Sequence, residues 1–434
     1  MPFIKKHFLL IIFIIGLLIR VCLMFLDSSF DVNNHISWAT DAFNRGLSGF
    51  YETPSKEVYG AFYPNYPPLT ILIFTFFFSL YQLVFKITWW LNITFPVFPS
   101  KIMAFVALRI FEIGMFKIPC IIGDLGLAWI FYLFAKKLVP KKPRLHLIAP
   151  LLILLNPAFI FNSSLWGQVD SIAIFLLTAS FYWLFFTKNY KLSIIFFFLS
   201  LLIKPTILIS LPIYGLGYSN KFGWSKTIKG FLFGNIVFWL FFLPFYKTGN
   251  ILTYPYTAYY QMIVSGQGMN FVSVSALNIW SFFPKLLRVK DSVSLLGPLS
   301  FQAAGYLIIV VLMTKIIYQY FKTRNKIKAF LYAGFLINFS MYLFSTRMHE
   351  RYIIFGLPFL LLIALKEENK LKWFIGLSIL AFLNLFYSWP ALNIKAAVDI
   401  ITSSFSVFLL STLNIIIFFY FSKIFLLDSY KNSR

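Results

Sequence analysis

Almost every window of twenty residues in this 434-residue chain is apolar enough to sit in hydrocarbon, and that property excludes most folds. Hydrophobic residues make up 60% of it and charged residues only 12%, which leaves no stretch polar enough for a separate soluble domain. Backbone groups cannot go unpaired in lipid, so a chain of this kind crosses as helices. The expected fold is all-α: a polytopic transmembrane helix bundle forming one domain over residues 1–434.

The net charge of +24 does not point to nucleic acid, because Lys and Arg fall in short runs between apolar stretches and not on one basic face. Those runs read as topology markers. Cys22 and Cys120 lie inside apolar stretches without metal-ligand spacing, so both are expected as buried free thiols.

Positive charge stays on the cytoplasmic side. Lys5 and Lys6 precede an apolar run from Phe8 to Leu26 that has no small-residue cleavage site, so it reads as an uncleaved helix leaving the cytoplasm. An external loop is expected near 27–67, where Asp27, Asp31, Asp41, Glu52 and Glu57 face only Arg45 and Lys56. The basic run from Lys136 to His146 must then be inside, which calls for helices near 68–87, 102–117 and 119–135. The chain continues out through 147–163, turns at LWGQVDS and returns through 171–187. The apolar stretch 192–217 needs two passes, broken at Lys204-Pro205, where proline removes a helix donor. A helix near 230–247 leads to a second external loop near 249–294, and helices near 298–320, 329–345, 351–365, 371–388 and 402–425 follow. The sum is roughly twelve to fourteen helices with N- and C-termini cytoplasmic.

A charge near hydrocarbon costs roughly 2.5–3.5 kcal/mol, so the fourteen carboxylates narrow the search for a site. On this topology Asp31, Asp124, Asp170 and Glu350 gather toward the outer face, with Lys117, Lys204 and Arg351 where positive charge is scarce. An anionic substrate explains those cations. Each residue also has a plainer explanation: Lys117 and Lys204 as interfacial side chains, Asp124 as partner of Lys117, Asp170 as a helix cap, and MHERY as a polar turn. Asp31 follows the first helix and opens a polar, aromatic segment, where a carboxylate can act as general base; Asp27 and Asp41 compete for that role.

Taken in order, the motifs resemble the GT-C superfamily of multi-spanning glycosyltransferases, and in particular bacterial relatives of the mannosyltransferase that adds the second mannose of the GPI anchor. The matching segments are Asp31 with Trp38, Gly49-Phe50-Tyr51, YPPL at Tyr66 to Leu69, FKIPCIIGDL at Phe116 to Leu125, NPAFIFNSSLWGQVDS at Asn156 to Ser171, IKPT at Ile203 to Thr206, and MHERY at Met348 to Tyr352. The resemblance implies inverting transfer of a hexose, mannose favoured, from a polyprenyl-phosphate sugar to an acceptor hydroxyl at the extracytoplasmic face. Asp31 would be the catalytic carboxylate. Lys204, Arg351 and Lys117 would bind phosphate, and Trp38, Tyr66, Asp124, Trp166, Gln168, Asp170, His349 and Glu350 would line the substrate site.

Superfamily members often carry two neighbouring acids in the first external loop, whereas Val32 and Asn33 follow Asp31 here; neither a metal nor another cofactor is expected. Tyr254, Tyr256, Tyr259 and Tyr260, with Asn270 and Asn278, form either an acceptor wall or an interfacial belt. The acceptor is a glycan, lipid or protein, and membrane lipid is the other partner. In a bacterial host the membrane would be the plasma membrane. A lipid or glycolipid flippase and a non-catalytic subunit of a glycosylation complex are the alternatives. A flippase should show repeated halves and charges near the midplane, which the sequence does not display.

Overall fold

A computed structural model describes residues 2–26, 29–57, 60–265, 270–283, 288–391 and 394–432. Asp27 lies outside these residues, and the Lys5, Lys6 and Glu57 side chains are likewise not described. The elements in order are α1 (Pro2–Met24), α2 (Phe30–Arg45), β1 (Ser55–Glu57), β2 (Gly60–Phe62), α3 (Pro68–Thr94), α4 (Ser100–Val106), α5 (Arg109–Leu138), α6 (Pro143–Leu154), α7 (Pro157–Ile160), α8 (Asp170–Phe186), α9 (Tyr190–Ile203), α10 (Leu211–Phe222), α11 (Trp224–Phe242) and α12 (Tyr254–Ser265). After a hairpin of β3 (Ser294–Leu296) and β4 (Leu299–Ser300) come α13 (Phe301–Lys322), α14 (Lys326–Phe344), α15 (Leu357–Lys366), α16 (Leu371–Ser388), α17 (Lys395–Thr402) and α18 (Ser404–Asn432). The fold is a helical bundle. Among the described residues nine helices are long and apolar enough to cross a membrane. Their outward faces carry Leu18, Leu232, Val310 and Phe408, all well exposed, as lipid-facing helices require. The chain is a multi-pass membrane protein.

The expected pair of helices at 102–117 and 119–135 is instead one helix, α5, of 30 residues and about 45 Å, running straight through Pro119. Proline is tolerated there because neighbouring helices surround the freed backbone groups. α1 lies antiparallel on α5, with Phe13 at Trp129 and Arg20 at Asp124. α3 also runs antiparallel to α5 but covers only its first half, Phe74 meeting Phe116 and Tyr81 meeting Phe111. Gly123 lets α5 touch α8 backbone to backbone: a Cβ there would stand 2.8 Å from the amide nitrogen of Ile172.

The polar segment after α1 is largely helical and not open loop. Ser29 caps α2 by accepting from the Asp31 amide at 3.1 Å. Val32, His35, Trp38 and Ala42 recur at helical spacing and are buried, so α2 is an amphipathic helix lying on α3, with His35 stacked on Phe74. The break expected at Lys204-Pro205 is present: Lys204 is extended between α9 and a 3₁₀ turn, Pro205–Ser210. Cys120 is buried, but Cys22 is exposed on the outside of α1; a thiol on a lipid-facing helix surface needs no partner.

Candidate functional site

The site forms where α1 ends and α8 begins. Asn156 caps α7, and a π-turn segment, Phe161–Leu165, widens the chain before it turns at Gly167, whose φ is +78°. A Cβ at Gly167 would fall 2.5 Å from Val32 Cγ2 and 3.1 Å from Lys117 Cγ, so only glycine lets this turn seat between α2 and α5. The turn presents Trp166 and Gln168 to Asp31.

Asp31 Oδ2 accepts from Trp166 Nε1 at 2.7 Å and from Gln168 Nε2. Gln168 Oε1 in turn accepts from Tyr66 Oη at 3.0 Å, so an orienting chain runs from the YPPL segment to the carboxylate. Both donors to Asp31 are neutral, and among the described residues its Oδ1 accepts no hydrogen bond. Half-buried and oriented by neutral donors, with Arg351 and Lys204 near enough to act on it through charge, this carboxylate keeps one oxygen available to a proton.

Beside it lies a compact charge cluster. Asp170 is fully buried and ion-paired with Lys204, itself 5% exposed, and Arg351 Nε stands 4.0 Å from Asp170 Oδ2. Arg351 also bonds Glu350 at 2.9 Å and lies 5.6 Å from the centroid of the Trp166 ring, which ties the cluster to the Asp31 donors. Tyr352 covers both cations, 5.7 Å from Lys204 Nζ and 5.9 Å from the Arg351 guanidinium carbon. His349 sits 3.9 Å from Glu350, and burial, aided by Arg351 and Lys204, pushes its pKa well below the usual range. A partly exposed Arg beside a buried Lys can meet an anionic group with charge-assisted hydrogen bonds.

Of the twelve residues singled out in the sequence, ten come together here: Asp31, Trp38, Tyr66, Trp166, Gln168, Asp170, Lys204, His349, Glu350 and Arg351. Trp38 joins through its ring, 5.2 Å from that of Tyr66. Lys117 stands to one side, donating to the Leu26 carbonyl at 2.7 Å. Asp124 pairs with Arg20 at 2.7 Å, which replaces the expected partner Lys117. Asp170 makes no capping bond at the start of α8, because its carboxylate faces Lys204. Asp41, a competitor for the base role, is bound by Arg45 one turn on in α2 and by Ser55 in β1.

Two buried residues were missed in the sequence. Arg20 had a signal, an arginine in the middle of an apolar run. His35 had a weaker one, standing four residues after Asp31 and therefore on the same helix face. It is packed among Phe74, Tyr66 and Trp38, and burial lowers its pKa to about 4, against the raising effect of Asp31.

The aromatic segment after α11 divides. Tyr254 and Tyr259 are buried and bond the carbonyls of Phe245 and Leu201, whereas Tyr256 and Tyr260 are exposed. Asn278 caps a turn and bonds the Tyr342 carbonyl, a structural role; Asn270 is exposed. Among the described residues no three of the His, Cys, Asp and Glu side chains converge as around a metal ion. No protein-family model matches the chain, and no curated protein matches it significantly.

Proposed function

We propose that this chain is a membrane glycosyltransferase of the GT-C kind, transferring a hexose, mannose favoured, from a polyprenyl-phosphate sugar to an acceptor hydroxyl with inversion. The observation that carries this reading is the Asp31 carboxylate, held by two neutral donors with one oxygen open, beside the Lys204–Arg351 cation pair. In the reaction Asp31 takes the proton of the acceptor hydroxyl as its oxygen attacks the anomeric carbon. The bond from that carbon to the phosphate oxygen breaks, and the electron pair leaves with the lipid phosphate. Lys204 and Arg351 stabilise the charge that collects there. Tyr66, Gln168 and the Trp166 indole orient the base, the buried Trp38 ring backs Tyr66, and the partly exposed His349 offers a surface to the sugar or acceptor.

In this reading the termini are cytoplasmic, which with α5 as a single helix calls for an even number of passes, about twelve, and the site opens on the extracytoplasmic side. In a bacterium the membrane is the plasma membrane, and the acceptor is a glycan, lipid or protein. The test is transfer from polyprenyl-phosphate mannose and polyprenyl-phosphate glucose by membranes containing the chain, with a known transferase as control. Transfer from one donor names the sugar; transfer from neither, with the control active, contradicts the reading for both hexoses and favours a flippase or a non-catalytic subunit.

A further inference from the structure

Asp124 does not reach the open part of the site, yet it touches both ends of the segment that builds it. Its Oδ2 accepts from Ser163 Oγ at 2.6 Å and its Oδ1 from Ser171 Oγ at 2.5 Å. Between those two serines in the chain lie Trp166 and Gln168, which hold Asp31, and Asp170, which holds Lys204. Arg20 closes the remaining side: its Nε bonds Asp124 at 2.7 Å, and its Nη1 bonds the carbonyls of Gly16 at 3.0 Å and Leu154 at 2.8 Å. Arg20, Asp124, Ser163 and Ser171 are all fully buried.

A buried ion pair adds little net stability compared with apolar side chains of the same volume, but its hydrogen bonds fix geometry sharply. Here one carboxylate bridges the two ends of a turn that is closed on its inner side by the Gln168 amide, which donates to the Asn162 carbonyl at 2.9 Å, and by Asn162 Nδ2, which donates to Asp170 Oδ2 at 3.4 Å. We infer that Asp124, neutralised by Arg20, is a positioning residue: it clamps Ser163 to Ser171 and so aims Trp166 and Gln168 at Asp31. This replaces the substrate-binding role expected for Asp124 and rests on the reading of Asp31 as the base. The clamp acts on Asp31 through its donors, so its loss lowers turnover; donor binding changes less, because Lys204 and Arg351 come from other segments, after α9 and after α14, and Asp170 is their one ion-pair partner in the clamped span among the described residues.

The experiment uses the full chain in detergent or nanodiscs and compares wild type with Ser163→Ala/Ser171→Ala, which opens the clamp and keeps the Arg20–Asp124 pair. Hydrogen exchange over residues 161–172 and steady-state sugar transfer are read on the same preparations, with the single variants Ser171→Ala and Ser171→Thr alongside, the second as the conservative rescue. The clamp predicts exchange at least tenfold faster in 161–172 alone, kcat down about tenfold, donor KM within twofold, and recovery toward wild type in Ser171→Thr relative to Ser171→Ala. Unchanged exchange in 161–172 overturns it, as does faster exchange spread equally over α5, α6 and α8, or local loosening with kcat intact. If the wild-type chain transfers no sugar, the transferase reading fails separately, and the exchange measurement decides the clamp by itself.

Discussion

Gln168 donates to Asp31 through its amide nitrogen and accepts from Tyr66 through its amide oxygen, 3.0 Å away, so one side chain both holds the carboxylate and takes its own orientation from the YPPL segment. Replacing it with Glu puts a second carboxylate against Asp31 and removes a donor at once. Gln168→Glu should lower the transfer rate about 100-fold, and Tyr66→Phe, which only frees the amide to rotate, about 10-fold. Initial rates at saturating donor distinguish the two.

The Lys204–Asp170 pair is buried, so removing one partner leaves an uncompensated charge, at a cost of about 3–5 kcal/mol. Lys204→Met should therefore fold poorly. Lys204→Met/Asp170→Leu should regain most of the thermal stability, because an apolar pair replaces the ionic one, yet bind the lipid phosphate weakly. Thermal unfolding read with donor KM checks both halves: a double variant with normal KM would remove Lys204 from phosphate binding.

At Gly167 the chain needs both a positive φ and the absence of a Cβ. Gly167→Ala should cost about 1–3 kcal/mol from backbone strain, with the clash against Val32 in addition. Adding Val32→Ala should relieve the clash and leave the strain, so the double variant should recover part of the melting temperature. Full recovery would mean that the turn is not strained.

His35 gives the protein an acid-sensitive element. Its pKa is lowered to about 4 in the folded chain and returns to about 6.5 on unfolding. The unfolded state therefore binds the proton first as pH falls, so this stabilisation is complete above about pH 6.5 and is lost progressively down to about pH 4. The full effect is about 3 kcal/mol. His35→Phe should lose less of its melting temperature than wild type between pH 7 and pH 4.5. Parallel losses would show that His35 does not titrate in this way.

The sequence told which polar residues converge better than which helices carry them. Lys204-Pro205 was legible as a break because an extended Lys before proline can neither continue a helix nor sit in lipid unpaired. The split expected between 117 and 119 is absent: α5 runs on through Pro119 with α1, α3 and α8 packed along it, and a linear reading does not show those neighbours. α2 was read as loop because its composition is polar, although Asp31, His35, Trp38 and Ala42 already carried the helical period. Arg20 and Asp124 lie 104 residues apart, and no local pattern pairs them.

The central claim is tested most directly by substituting Asp31 and Asp41 separately with Asn in the sugar-transfer assay, at matched expression and with donor binding measured alongside. The account predicts at least a 1000-fold loss of transfer in Asp31→Asn with donor affinity kept, and a loss of less than 10-fold in Asp41→Asn. Transfer near the wild-type rate in Asp31→Asn would contradict it.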